Sequence, residues 1–66
     1  MEIESENLEE QIIQQARKKQ KAQDFGGAIN EYKKVLEINP SNTVAQASIE
    51  MLNQILNFYH KESYNP

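Results

Sequence analysis

The segment from Asp24 to Pro40 restricts the fold of this chain more than any other part of its sequence. It begins with a residue whose carboxylate can cap a helix, and it ends at a proline, which disfavours the α conformation of the preceding residue. Between these ends the apolar side chains cover an arc of roughly 120°, as on a helix that lies on a core. They are Phe25, Ala28, Ile29, Tyr32, Val35 and Leu36. The pattern predicts a helix from just after Asp24 to about Ile38.

A first helix is predicted before this segment, from Ser5 to Ala22. Acidic residues are concentrated at its start and basic residues at its end, an order that the helix dipole favours at both termini. Its apolar stripe is thin and consists of Leu8, Ile12, Ile13 and Ala16. We therefore expect this helix to depend on tertiary contacts.

A third helix is predicted after the segment, from a cap at Ser41 or Asn42 to about His60. Its apolar arc is roughly 180°, whereas a surface helix requires only ~100°. The arc consists of Val44, Ala45, Ile49, Met51, Leu52, Ile55, Leu56, Phe58 and Tyr59. We therefore expect the helix to pack on its own hairpin and also on a surface outside it. The residues after His60 are expected either to fray or to fold back with Tyr64 as an anchor.

Size and composition narrow the function classes. With 66 residues the chain is one domain at most, and without cysteine it has neither disulfides nor thiolate metal sites. Its net charge of −3 argues against a nucleic-acid or anionic-membrane partner. No apolar stretch approaches the roughly 18 residues of a membrane span, and the acidic N-terminus lacks the apolar region of a signal peptide. A cytoplasmic location is therefore expected by default.

With these features the chain resembles the tetratricopeptide repeat family, whose unit is a helix–turn–helix of about 34 residues. Counting back from Pro40, the repeat spans residues 7–40. The matching positions are Ala16, Asp24, Phe25, Ala28, Tyr32, Leu36, Ile38, Asn39 and Pro40. The resemblance implies an all-α fold of the right-handed α–α superhelix type. It would consist of one hairpin, a capping helix over about 42–60 and a tail over 61–66.

The chain departs from the family pattern mainly in its first helix. Ile12 lies where a Trp or another large apolar residue is usual, and Gln15 and Lys19 replace an apolar and an aromatic residue. Gln23 replaces the usual turn glycine. Altered or loose packing is therefore expected for the first helix. Because a stable solenoid usually needs about three repeats, we expect a homodimer that covers the wide apolar face of the third helix.

The resemblance implies a groove lined by first helices, with the third helix acting as the first helix of a second repeat. The candidate groove residues are Gln14, Arg17, Lys21, Gln46, Glu50 and Asn53. The alternative is that they are plain solvent-facing polar residues. Ile13 and Arg17 occupy the places where peptide-clamping family members carry a Lys and an Asn, which argues against that clamp. Arg17 and Lys21 can still attract a carboxylate.

The candidate residues for self-association form a stripe along the third helix. They are Val44, Met51, Ile55, Phe58 and Tyr59. Ordinary core packing is the alternative interpretation of this stripe, as it is the expected role of Ile49, Leu52 and Leu56.

No catalytic, cofactor-binding or metal-binding residues are predicted. His60 is the only histidine, and no cysteine, second histidine or suitably spaced carboxylate accompanies it. The pair Gly26–Gly27 follows no strand and belongs to no phosphate-binding motif. The basic run Arg17–Lys21 is expected either to grip an acidic peptide or nucleic acid, or only to serve the helix dipole.

Four functions can be compared on this basis. The leading hypothesis is a non-catalytic protein-interaction module whose partner is a peptide or a second copy of itself. The alternative is a terminal repeat of a longer solenoid scaffold. A nucleic-acid-associated regulator is disfavoured by the net charge of −3. An enzyme is disfavoured by the lack of a convergent nucleophile, base and orienting group.

Overall fold

The computed structural model describes the backbone of residues 4–64 and the side chains of residues 8–58. Over this range the chain forms three α-helices and no strand: α1 is Glu4–Lys21, α2 is Phe25–Ile38 and α3 is Thr43–Tyr64. The all-α prediction is therefore confirmed. The α1 and α2 bounds agree with the predicted ones to within one residue.

The ends of α2 are set by Asp24 and Pro40, the two residues from which the sequence predicted them. Asp24 is the N-cap, and its Oδ1 accepts a hydrogen bond of 3.0 Å from the backbone N–H of Gly27. A Cβ at Gly27 would collide with this carboxylate, so a larger residue there would have to push the Asp24 side chain out of its capping position. At the other end, Asn39 is extended (φ −143°, ψ 92°), as expected before Pro40, and its N–H donates to the Val35 carbonyl.

The turn between α1 and α2 is closed by two backbone hydrogen bonds. The N–H of Asp24 donates to the Lys19 carbonyl at 2.8 Å, and the N–H of Gln23 donates to the Gln20 carbonyl at 2.9 Å. This is the Schellman arrangement, which needs a left-handed residue just after the helix. Gln23 adopts that conformation with φ 65°. The chain thus keeps the turn geometry although it lacks the usual glycine.

The third helix begins as predicted but ends later. Of the two candidate caps, Asn42 fills the role, since its Oδ1 accepts from the Ala45 N–H at 3.0 Å. The helix continues to Tyr64, four residues past the predicted end at His60. The prediction of a tail from residue 61 was wrong for residues 61–64, because no glycine or proline interrupts them and the next proline is Pro66. Residues 65 and 66, and the side chain of Tyr64, lie outside the described part.

The core lies on both sides of α2, which packs against α1 and α3. Its buried residues are Ile13, Ala16, Ala28, Ile29, Tyr32, Val35, Ala45 and Leu52. The largest fully buried side chains are Tyr32, Leu52 and Val35. In α1, Ile13 and Ala16 are buried, whereas Leu8 stays exposed. The first helix is therefore anchored through its middle.

The three helices differ in length, and this shapes the molecule. With 22 residues, α3 exceeds the 14 residues of α2. Since the two helices are antiparallel and joined by a short loop, the C-terminal part of α3 extends about 12 Å past the start of α2 at 1.5 Å per residue. The overall extents are 55 × 22 × 13 Å. Phe58 lies on this extension and is 58% exposed.

Candidate protein interface on the α1–α3 face

A cleft lies between α1 and α3, above α2. Its volume is about 380 Å³, and it is lined by Arg17, Gln20, Lys21, Phe25, Tyr32 and Ser48. A second depression of about 260 Å³ lies beside it on α1, lined by Gln14, Arg17, Lys18 and Lys21. Arg17 and Lys21 belong to both, so the two depressions form one continuous basic surface. We call it the basic cleft.

Tyr32 supplies a rigid part of the cleft wall. Its side chain is 1% exposed, and its hydroxyl donates a hydrogen bond of 3.0 Å to Gln20 Oε1. A buried tyrosine hydroxyl needs such a partner, because burying it unpaired would cost free energy. The bond holds Gln20 against α2 and joins α1 to α2 at the cleft.

The basic run of α1 divides into two groups. Lys19 faces α2, where its Nζ donates to Glu31 Oε2 at 2.8 Å. Arg17, Lys18 and Lys21 are exposed, and within residues 8–58 they have no ion-pair partner. Lys19 is therefore a structural residue, and the other three give the basic cleft its charge.

The Lys19–Glu31 pair changes the pKa of both groups. The hydrogen bond to Glu31 is the main cause that raises the pKa of Lys19, and the Glu31 charge adds to it. The hydrogen bond from Lys19 is the main cause that lowers the pKa of Glu31, helped by the charges of Lys19 and Lys34. Both shifts favour the charged forms, and the Glu31 side chain is only 14% exposed. The pair stabilises the contact between α1 and α2.

The far end of the α1–α3 face is held by one carboxylate. Glu9 Oε1 accepts hydrogen bonds from Asn42 Nδ2 at 2.8 Å and from Asn39 Nδ2 at 3.2 Å. Since Asn42 also caps α3, the same side chain positions the start of α3 beside α1. The two helices run in the same direction, because each is antiparallel to α2.

The predicted groove residues are all exposed, and the two depressions bring three of them together. Arg17 and Lys21 line the cleft, with Gln14 beside them. Gln46 instead donates from Nε2 to the Pro40 carbonyl at 2.7 Å, which gives it a role in the loop before α3. Glu50 and Asn53, the remaining two, line neither depression.

Four residues that line the larger depression were missed by the sequence reasoning as site residues. Gln20 and Ser48 are half-buried polar residues at the edges of their helices' apolar faces, and Phe25 and Tyr32 were assigned only to packing positions. The sequence signal that could have identified Gln20 and Ser48 is a polar residue one helical turn from a buried residue. It was weak, because the distance between α1 and α3 decides which such residues line a cleft.

The self-association stripe is largely exposed on α3. Val44, Met51 and Phe58 are 43%, 45% and 58% exposed, and they recur every seven residues, which places them in one row along the helix. Ala45 follows Val44 and Leu52 follows Met51, and both of these following residues are fully buried.

The remaining two residues of the stripe are placed differently. Ile55 is half-buried against the core, so it serves both the core and the edge of the row. The side chain of Tyr59 lies outside the described residues.

Two further features concern metals and membranes. In residues whose side chains are described, no group of three or more His, Cys, Asp or Glu residues could hold a metal ion. The side chain of His60 lies outside that range. None of the helices in the described part has both the length and the apolar character needed to cross a membrane.

Comparisons with known proteins add no further assignment. No protein-family model, no curated protein and no solved structure matches the chain. The resemblance to tetratricopeptide repeats therefore remains a prediction from the sequence motif.

Proposed function

We propose that this chain is a non-catalytic protein-interaction module of the tetratricopeptide-repeat type, and that it self-associates through the apolar face of α3. The observation that carries the proposal is the exposed row of Val44, Met51 and Phe58 on a helix that also buries Ala45 and Leu52 completely. Exposed apolar residues arranged in one row mark an interaction surface more often than scattered ones do.

The arrangement of the helices supports the repeat assignment. The hairpin of α1 and α2 is followed by a helix that packs on α2 and runs parallel to α1, as the first helix of a following repeat would. In a capping helix the outer face is polar. Here the outer face carries the apolar row, so α3 is suited to contact a further protein surface.

A second copy is the partner that the sequence itself favours. A 66-residue chain supplies only a small core, and chains of this size commonly gain stability by oligomerisation. Antiparallel packing of two α3 helices would cover the row on both copies at once. Such a contact is self-complementary, as a two-fold interface requires.

The proposal is tested by replacing Met51 with lysine in the full chain. A charge in the middle of the apolar row would have to be desolvated on association, so we expect the dissociation constant to rise at least about tenfold. Sedimentation equilibrium over a range of concentrations measures it. Asn57→Lys is the matched control, since Asn57 is exposed on α3 but faces away from the row. A wild-type chain that stays monomeric up to high concentration would refute self-association.

A second candidate function is suggested by the same exposed row. A fourth helix of a longer repeat protein would cover Val44 and Met51 equally well, and the chain would then act as one terminal part of a scaffold. The isolated chain separates the two candidates. A well-folded dimer with a cooperative unfolding transition supports the module, whereas a molten or aggregating chain supports the scaffold.

A further inference from the structure

The basic cleft carries cations that the described part of the chain leaves without an anion. We infer that in the self-associated protein the anion is Glu10 of a second copy, which enters the cleft beside Arg17. The inference rests on the proposed self-association and adds an orientation to it: the two α1 helices lie antiparallel across a two-fold axis.

One line along α1 shows how this pairing arises. Glu10, Gln14, Arg17 and Lys21 are spaced by four, three and four residues, so they lie on one side of the helix. All four are exposed. Along this line the charge runs from negative through neutral to positive. We call these four residues the charged line.

When two copies are related by a two-fold axis, the acidic end of one charged line faces the basic end of the other. In an isologous contact residue i meets residue j of the partner while j meets i. With the axis midway between the levels of Glu10 and Arg17, which is close to Gln14, Glu10 of each copy lies opposite Arg17 of the other. The sequence also places Glu6 four residues before Glu10, at the level of the other copy's Lys21.

The opposite orientation is disfavoured by the same charges. If the two α1 helices were parallel, Glu10 would face Glu10 and Arg17 would face Arg17. Like charges placed directly opposite each other destabilise a contact, and charges at the edge of helix pairs commonly set orientation in this way. The charged line therefore selects the antiparallel pair.

The same axis also suits the apolar row on α3. Because Glu9 bonds Asn42 and the two helices run in the same direction, Gln14 and Ala47, each five residues further on, are at about the same level. The axis thus passes close to Ala47.

This level lies midway between Val44 and Met51. Across the axis, Val44 of one copy would therefore meet Met51 of the other. The small side chains of Ala47 and Ser48 lie between them and let two helices approach closely. One two-fold axis can thus serve both the charged line and the N-terminal part of the apolar row, from Val44 to Met51.

The test uses two charge-reversal variants of the full chain, Glu10→Lys and Arg17→Glu. Each variant alone places like charges at both symmetry-related contacts, so we expect its dissociation constant to rise about tenfold. When the two variants are mixed, every contact again joins opposite charges. The mixture is therefore expected to form a heterodimer as tight as the wild-type dimer, which sedimentation velocity with one labelled variant measures.

Control variants on α2 match the charge changes. Lys33→Glu and Glu37→Lys alter exposed residues on the outer side of α2 and should leave association unchanged. Far-UV circular dichroism of each variant checks that the helices are retained. Wild-type association should also weaken as salt rises, because exposed charges are screened over about 10 Å at 0.1 M ionic strength.

The outcomes separate this inference from the function on which it rests. If Met51→Lys weakens the dimer but the mixed charge variants associate no better than either one alone, the charged line plays no part and the inference is wrong. If the wild-type chain is monomeric at all concentrations, both the inference and the proposed self-association are wrong. Recovery of the dimer only in the mixture supports both.

Discussion

The side of α1 that faces α2 is closed by tight packing, whereas the side that faces α3 is open, because a cleft remains there. On the closed side, Ala16 and Ala28 are fully buried and Lys19 is paired with Glu31. On the open side, a cleft of about 380 Å³ remains and its cations lack partners in the described part. The difference shows that the contact between α1 and α2 is packed and paired, while the α1–α3 face leaves a cleft and exposed basic side chains.

The largest expected effect comes from truncating a buried residue of α3, and truncating its exposed neighbour provides the comparison. Leu52 is fully buried and Met51 is 45% exposed. We expect Leu52→Ala to cost about 2–5 kcal/mol because it leaves a cavity. That loss is comparable to the total stability of roughly 3–10 kcal/mol expected for a chain of this length. Met51→Ala should change the stability of the monomer by less than about 0.5 kcal/mol.

Urea unfolding followed by circular dichroism measures both variants, at concentrations where the monomer predominates. Equal destabilisation by the two substitutions would contradict the division of α3 into a buried face and an exposed row.

Replacing alanine with the larger leucine compares a buried and an exposed position in a second way. Ala28 is fully buried in the core, and Ala47 is exposed on α3. Leucine at position 28 would overpack the core, so Ala28→Leu should destabilise by about 1–3 kcal/mol. Ala47→Leu should leave monomer stability within about 0.5 kcal/mol of the wild type. Thermal unfolding of dilute samples compares the two, and a tolerated leucine at position 28 would show that α1 and α2 are not closely packed.

The smallest expected effect distinguishes a paired lysine from an unpaired one. Lys19→Gln should lower the melting temperature slightly at neutral pH, while Lys18→Gln should not, because, of these two lysines, Lys19 alone has an acidic partner within residues 8–58. The pKa of Glu31 is lowered from 4.5 in the folded chain, so its contribution is present above pH 4.5 and is lost as the pH falls through the lowered value. The pKa of Lys19 is raised from 10.5, so its contribution is lost only as the pH rises through the raised value.

Melting curves of the wild type and Lys19→Gln should therefore converge in acid. A difference between them that persists well below pH 4.5 would assign the effect to something other than the ion pair.

The closed part of the molecule could be predicted from the sequence, and the open part could not. Asp24 and Pro40 act locally on the backbone, so the bounds of α2 follow from residue chemistry alone. The end of α3 was missed because no residue from 61 to 64 stops a helix. The cleft depends on the spacing of two helices that are not neighbours in sequence. For that reason Arg17 and Lys21 were anticipated together, whereas Gln20 and Ser48 were not.

The hydrogen bond between Glu9 and Asn42 has a consequence for how the chain folds. Most of the packing joins helices that are adjacent in sequence, so the contact order is low and folding is expected to be fast. Glu9 and Asn42 are 33 residues apart, the largest separation among the side-chain hydrogen bonds described. Detachment of α3 from the hairpin of α1 and α2 would break this bond as well as the packing of α3 on α2. The bond therefore couples the two successive helix pairings more tightly, and this favours a single cooperative unfolding transition.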